Sequence, residues 1–223
     1  PESDNVITSA QLAAGKMIVT YDQDASNHSY VYNLDGTMLH EIAFPTFGAV
    51  GFSCSYDEQE VFYSFTSFTF PTTIYTYDIE KNTSKVFRSP DVKFNPEDYI
   101  TEQVFVTSKD GTQVPMFLTY KKGLVRDGKN PTLLYGYGGF NITLNPGFST
   151  MRLPFLEKGG IYAQANLRGG NEYGEEWHIA GTKLQKQNVF DDFISAGEYL
   201  VNNNYTSPDY LAIMGGSNGG LLI

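Results

Sequence analysis

Cysteine is almost missing from this chain. The single Cys54 has no partner within it, so an internal disulfide framework is excluded and no oxidising compartment is implied. Histidine is scarce as well, and His28 and His40 lack any His/Cys/Asp spacing suited to a metal. No basic run offsets a net charge of -10, which argues against nucleic acid or an anionic membrane surface as partner. No apolar run approaches membrane-spanning length, and no signal-peptide pattern opens the chain. Charged residues make up only 18% against 41% hydrophobic, the balance of a globular protein.

What is abundant is aromatic and glycine. The 16 Tyr and 16 Phe suit β-rich structure, and 223 residues suffice for one large or two small domains. From Lys16 to Arg88 short strands alternate with turns: Lys16–Tyr21, Ser29–Asn33, Thr37–Ala43, Ala49–Cys54, Glu60–Thr66, Thr73–Asp78 and Lys85–Arg88. Asp35-Gly36 and Glu80-Lys81-Asn82 mark turns, and no convincing helix interrupts the series. A meander of this spacing fits sandwiches, barrels or propeller blades, with strands enough for about two four-stranded blades. The chain opens at Pro1 without an initiator Met and stops six residues past Ser217, so both ends look cut.

Pro90 and Pro96 bracket a polar crossing, which places a domain boundary near Val92 and predicts domains over 1–91 and 92–223. Beyond it the pattern changes. Thr101–Thr107 and Gln113–Tyr120 read as a hairpin joined at Asp110-Gly111, followed by strands at Pro131–Tyr135, Ile161–Ala165 and Tyr210–Met214. A helix is expected around Met151–Lys158. Asn188–Asn203 carries apolar residues at helical 3–4 spacing. The last strand runs into Gly215-Gly216-Ser217-Asn218-Gly219, which fits G-x-S-x-G. That is a nucleophile elbow, with serine at the apex of a strand-to-helix turn and glycines where side chains would collide. Hairpin, alternating strands and helices, and serine after the fifth strand follow the α/β-hydrolase order.

Other loops invite chemistry. Gly136-Tyr137-Gly138-Gly139 follows the third strand, where this architecture places one arm of an oxyanion hole. A dinucleotide fingerprint fails at Asn141, and no Walker lysine follows. Leu167-Arg168-Gly169-Gly170 reads as a tight turn carrying an arginine ion pair. His178 lies upstream of the serine, the wrong side for a triad running Ser, Asp/Glu, His. Asp191 and Asp192, early in a helix, read as carboxylates complementing its dipole.

Taken together, Leu134-Tyr-Gly-Tyr-Gly-Gly-Phe140, Asn166-Leu-Arg-Gly-Gly170, Lys186-Gln-Asn-Val-Phe-Asp-Asp-Phe193, Tyr205-Thr-Ser-Pro208 and Gly215-Gly-Ser-Asn-Gly-Gly220 resemble the prolyl oligopeptidase family in order and spacing. Asn171 departs from it, standing where the family usually has a third glycine. The resemblance implies a β-propeller over an α/β-hydrolase domain and cleavage of proline-containing oligopeptides after proline, without metal or cofactor. It implies Ser217 as nucleophile, with Asn218 (backbone N–H) and Tyr137 (hydroxyl) as oxyanion donors. Phe140 and Asn218 would border the proline pocket. It further implies a monomeric parent in the cytoplasm, with periplasm or secretion as alternatives. The triad Asp and His are not found in this chain, so the piece is expected to be an inactive fragment of an active serine endopeptidase. Another α/β-hydrolase, such as a related oligopeptidase or an esterase, and an inert propeller-hydrolase binding module stay as alternatives.

Overall fold

The computed structural model describes residues 5–223. The chain forms two compact units, Pro1–Lys93 together with Asn145–Phe148, and Phe94–Leu144 together with Ser149–Ile223.

The first unit holds two antiparallel four-stranded meanders, each strand paired with its neighbour in sequence. One is β1 (Val6–Ala13), β2 (Lys16–Gln23), β3 (Ser26–Tyr32) and β4 (Met38–Ile42); the other is β5 (Ala49–Ser53), β6 (Val61–Thr66), β7 (Thr73–Asp78) and β8 (Thr83–Arg88). These are propeller blades. Period-two patterning decides which face is buried: Val61, Tyr63 and Phe65 alternate inward along β6. They meet Ile18, Val31 and Ile42 in one apolar cluster shared by both sheets. Tyr63 stacks on Tyr75 of the next strand, centroids 4.9 Å apart, a cross-strand aromatic pair of the kind that fixes register. The strand β1 is the one the sequence pattern does not announce. Only Ala13 on it is fully buried, so it carries little apolar alternation and is held by pairing to β2.

The second unit is a five-stranded sheet in the order β13-β11-β12-β10-β9. Its strands are β9 (Tyr99–Thr107), β10 (Gln113–Lys121), β11 (Thr132–Tyr135), β12 (Ile161–Ala165) and β13 (Leu211–Met214). The hairpin β9–β10 is antiparallel, β12 pairs antiparallel to β10, and β11 runs parallel to both β12 and β13. All of Val114–Tyr120 is buried, because β10 is covered on both faces. Helix α3 (Gln187–Asn202) lays Val189, Phe193, Ala196 and Leu200 at 3–4 spacing into the core beside Leu118, Leu134 and Ala163. The helix expected near Met151–Lys158 divides into a 3₁₀ turn, Thr150–Arg152, and a five-residue α1 (Leu153–Glu157) carrying Pro154 in its first turn, where its missing N–H costs nothing. A second short helix, α2 (Glu175–Ile179), is one the sequence reading does not foresee, being too short for periodicity to register. This order of strands and helices is the start of an α/β-hydrolase domain.

Candidate active site

Three parallel strands end side by side. In their pairing Tyr135 lies opposite both Gln164 and Met214, so the chain leaves β11, β12 and β13 at one edge of the sheet. Such carboxyl-terminal edges are where open α/β sheets place ligands, and here each strand delivers one loop. From β11 comes Gly136–Ile142, from β12 comes Asn166–Gly174, and from β13 comes the serine turn.

Ser217 has φ +53°, in the left-handed region that L-residues other than Asn and Asp rarely enter. It is exposed at the apex. Behind it begins α4 (Gly219–Leu222). The strain is confined by close packing: a Cβ on Gly215 would run into the carbonyl of Gly219 across the turn. A strained, exposed serine between a strand and a helix is the geometry of a nucleophile elbow.

The elbow is fastened to the β11 loop. Asn218 donates its side-chain amide to the Tyr137 carbonyl at 2.6 Å. Lys186 Nζ donates to the next carbonyl, Gly138 O, at 2.7 Å. Burial lowers the pKa of this lysine from its ordinary value. Gly138 has φ +59°, and a Cβ there would strike Val189 of α3, so glycine is required on both counts. The loop then turns through Phe140 (φ +54°) and Asn141 (φ +58°), leaving the Phe140 ring 73% exposed. Among the described residues the Asn218 N–H and the Tyr137 hydroxyl make no hydrogen bond, which leaves two donors uncommitted on the joined loops.

The β12 loop is set by a buried ionic cluster. Arg168 contacts Asp192 through Nη2 at 2.6 Å and Asp110 through Nη1 at 2.5 Å. Asp192, fully buried on α3, also accepts from Ser108 Oγ at 2.6 Å and from the Arg168 N–H at 3.1 Å. The arginine ion pair is the one expected; the dipole reading of Asp192 is corrected. Its carboxylate faces inward, and its work is to neutralise Arg168. Burial alone would lower the Arg168 pKa, but the hydrogen bonds to Asp192 and Asp110 more than offset this and raise it. Asp110 is pulled down to about 2, chiefly by its hydrogen bond to Arg168. A carboxyl depressed on folding stabilises above its unfolded pKa, about 3.9, and that contribution disappears as pH falls through the folded value. Acid titration of stability should therefore show a loss between about pH 4 and pH 2 that Asp110→Asn flattens. An unchanged acid limb in that variant would show that the pair contributes nothing.

Each of the three histidines has a hydrogen-bond partner other than Ser217. His28 meets Glu41, His40 meets Tyr77, and His178 Nδ1 bonds Gly169 O at 2.8 Å. Among the described residues no imidazole bonds the Ser217 hydroxyl. A cavity of about 460 Å³ opens between the loops, with Phe140, Asn218, His178, Thr182 and Lys186 in its wall. Ser217, Asn218, Tyr137 and Phe140 are thus gathered at one strand edge. Sequence reasoning assigned no role to Lys186. It stands in one of the runs that carry the family resemblance, but nothing local distinguishes a lysine that reaches a carbonyl 48 residues away.

Two family models match this chain. The model of the prolyl oligopeptidase N-terminal beta-propeller domain covers residues 1–90, and that of the prolyl oligopeptidase family covers residues 146–223. The chain belongs to the prolyl oligopeptidase family. It is 53% identical over 210 residues to a prolyl endopeptidase of Elizabethkingia meningoseptica, covering 94% of this chain and 30% of that relative. A prolyl endopeptidase of Dictyostelium discoideum is 41% identical over 228 residues, again over 30% of its length. A structure from a mechanistic study of two prolyl endopeptidases superposes with TM-score 0.92 at 48% identity, over 99% of this chain and 33% of that one. Prolyl oligopeptidase B of Galerina marginata, bound to a 25mer macrocyclization substrate, gives TM-score 0.93 at 36% identity, over 100% and 32%. The chain spans about a third of the length of the relatives it matches.

Proposed function

We propose that the protein containing this chain is a serine endopeptidase that hydrolyses short peptides on the carboxyl side of proline. Ser217 Oγ attacks the carbonyl carbon as a general base takes its proton. The peptide C–N bond breaks, the proton passes to the departing amine, and water then releases the acyl group from the serine oxygen. The oxyanion of the tetrahedral intermediate is held by the Asn218 backbone N–H and the Tyr137 hydroxyl. The observation that carries this reading is the 2.6 Å bond from the Asn218 amide to the Tyr137 carbonyl, which joins the nucleophile turn to the loop bearing the second donor. Exposed Phe140, in the same cavity wall as Asn218, offers an apolar face to a pyrrolidine ring. The names of the relatives support the choice of proline peptides.

Ser217 needs a general base, and among the described residues no imidazole is hydrogen-bonded to its hydroxyl. The 223 residues alone are therefore proposed to be inactive. In the intact protein Tyr137→Phe is expected to lower kcat for a proline-containing peptide by about 10²–10³-fold with KM little changed, the scale of losing one oxyanion donor. A wild-type kcat in that variant would remove Tyr137 from the oxyanion site. Ester hydrolysis without proline-peptide cleavage would replace the peptidase by an esterase.

A further inference from the structure

We propose that Lys186 is a positioning residue for the reaction, holding the Tyr137 loop in the conformation that aims the tyrosine hydroxyl at the developing oxyanion. This rests on the oxyanion role proposed above for Tyr137.

Consecutive carbonyls of the loop are held from two directions. Asn218, on the elbow, takes Tyr137 O at 2.6 Å; Lys186, at the start of α3, takes Gly138 O at 2.7 Å. The loop needs such restraint because it runs through three left-handed residues, Gly138, Phe140 and Asn141, within four positions. Left-handed backbone at Phe140 and Asn141 costs energy and persists only where surrounding contacts over-determine it. Further along, the Asn141 N–H is held by Gly169 O at 3.1 Å, which also accepts from His178. Phe140 itself is exposed, so packing cannot fix the turn there.

An ammonium donor suits this task. Among the described residues Lys186 forms no salt bridge, and its ammonium donates to the Gly138 carbonyl. A charge-assisted bond to a carbonyl is roughly twice as strong as a neutral one. The Gly138 carbonyl belongs to the Gly138–Gly139 peptide, so its release would free the torsions of Gly138 and let the adjoining Tyr137 shift against its single remaining tie to Asn218. Small displacements of a catalytic group, of about 1 Å, can cost about 10²-fold.

The test is a double-substitution cycle in the intact protein, with a chromogenic proline peptide as substrate. Lys186→Met should reduce kcat by up to about 100-fold with KM little changed. Lys186→Arg, which keeps a charged donor, should recover most of the loss. In a Tyr137→Phe background the same Lys186→Met change should add little, since there is no longer a hydroxyl to aim. Should Lys186→Met fail to fold, Lys186→Gln takes its place in the cycle. A slow Tyr137→Phe enzyme in which the lysine change costs its full factor again would overturn the role of Lys186 while leaving the oxyanion reading intact. So would Lys186→Arg as impaired as Lys186→Met. Wild-type turnover in Tyr137→Phe would instead sink the oxyanion reading, and this inference with it.

Discussion

Replacing Ser217 with alanine is expected to lower kcat of the intact protein by on the order of 10⁶-fold, the scale seen when a serine peptidase loses its nucleophile. Loss of substrate binding is not the expected route, since the cavity wall formed by Phe140, Asn218 and Lys186 survives the change. KM, or the affinity for a non-hydrolysed proline peptide, should stay close to wild type. The turn itself should keep its shape, because alanine at φ +53° is no more comfortable than serine and the backbone geometry is imposed by Gly215 and Gly219. A variant that retained more than a thousandth of wild-type turnover would mean that covalent catalysis runs through another group.

The second large effect is on stability. Arg168→Met leaves the Asp192 carboxylate buried without its cation, and breaking one side of a buried pair costs about 3–5 kcal/mol. The damage should not stay local. Gly169, the next residue, sits against Gly138 so closely that a Cβ there would meet the Gly138 carbonyl at 2.8 Å. Activity should therefore fall with stability, through displacement of the Tyr137 loop. Pairing Arg168→Met with Asp192→Leu removes both charges and should recover much of the lost stability, as apolar replacement of buried pairs often does. Chemical denaturation read separately for this domain would measure both. A single variant as stable as wild type would show that Ser108 and the remaining donors already satisfy Asp192.

How much of this was written in the sequence differs between elements. The blades were legible because β-branched and aromatic residues alternate along them, as in Val61–Thr66, where every second side chain is buried. The strand β1 was not, since polar Thr8, Ser9 and Gln11 break its alternation and its place depends on pairing with β2. Helix α3 declared itself through Val189, Phe193, Ala196 and Leu200, while five-residue α2 had no room to do so. At the site, Ser217 and the Gly136–Gly139 loop were readable as motifs because backbone conformation demands glycine at fixed offsets. What joins them was not. The Asn218–Tyr137 and Lys186–Gly138 bonds link positions 81 and 48 residues apart, and Asp192 meets Arg168 from 24 residues away and Ser108 from 84. A carboxylate on an early helical turn looks like a dipole partner until the fold brings Arg168 against it.

Ser217 is proposed to be a nucleophile made reactive only with groups outside these 223 residues. Phosphonylation by a fluorophosphonate probe, with the modified residue mapped by peptide mass spectrometry, tests it most directly. A single adduct on Ser217 is expected in the intact protein, and none in the 223-residue chain on its own. Rapid labelling of the isolated chain would contradict it, placing a base within this sequence and returning His178 to consideration. An intact protein left unlabelled at Ser217 would contradict it more deeply, and would favour a hydrolase fold retained for binding alone.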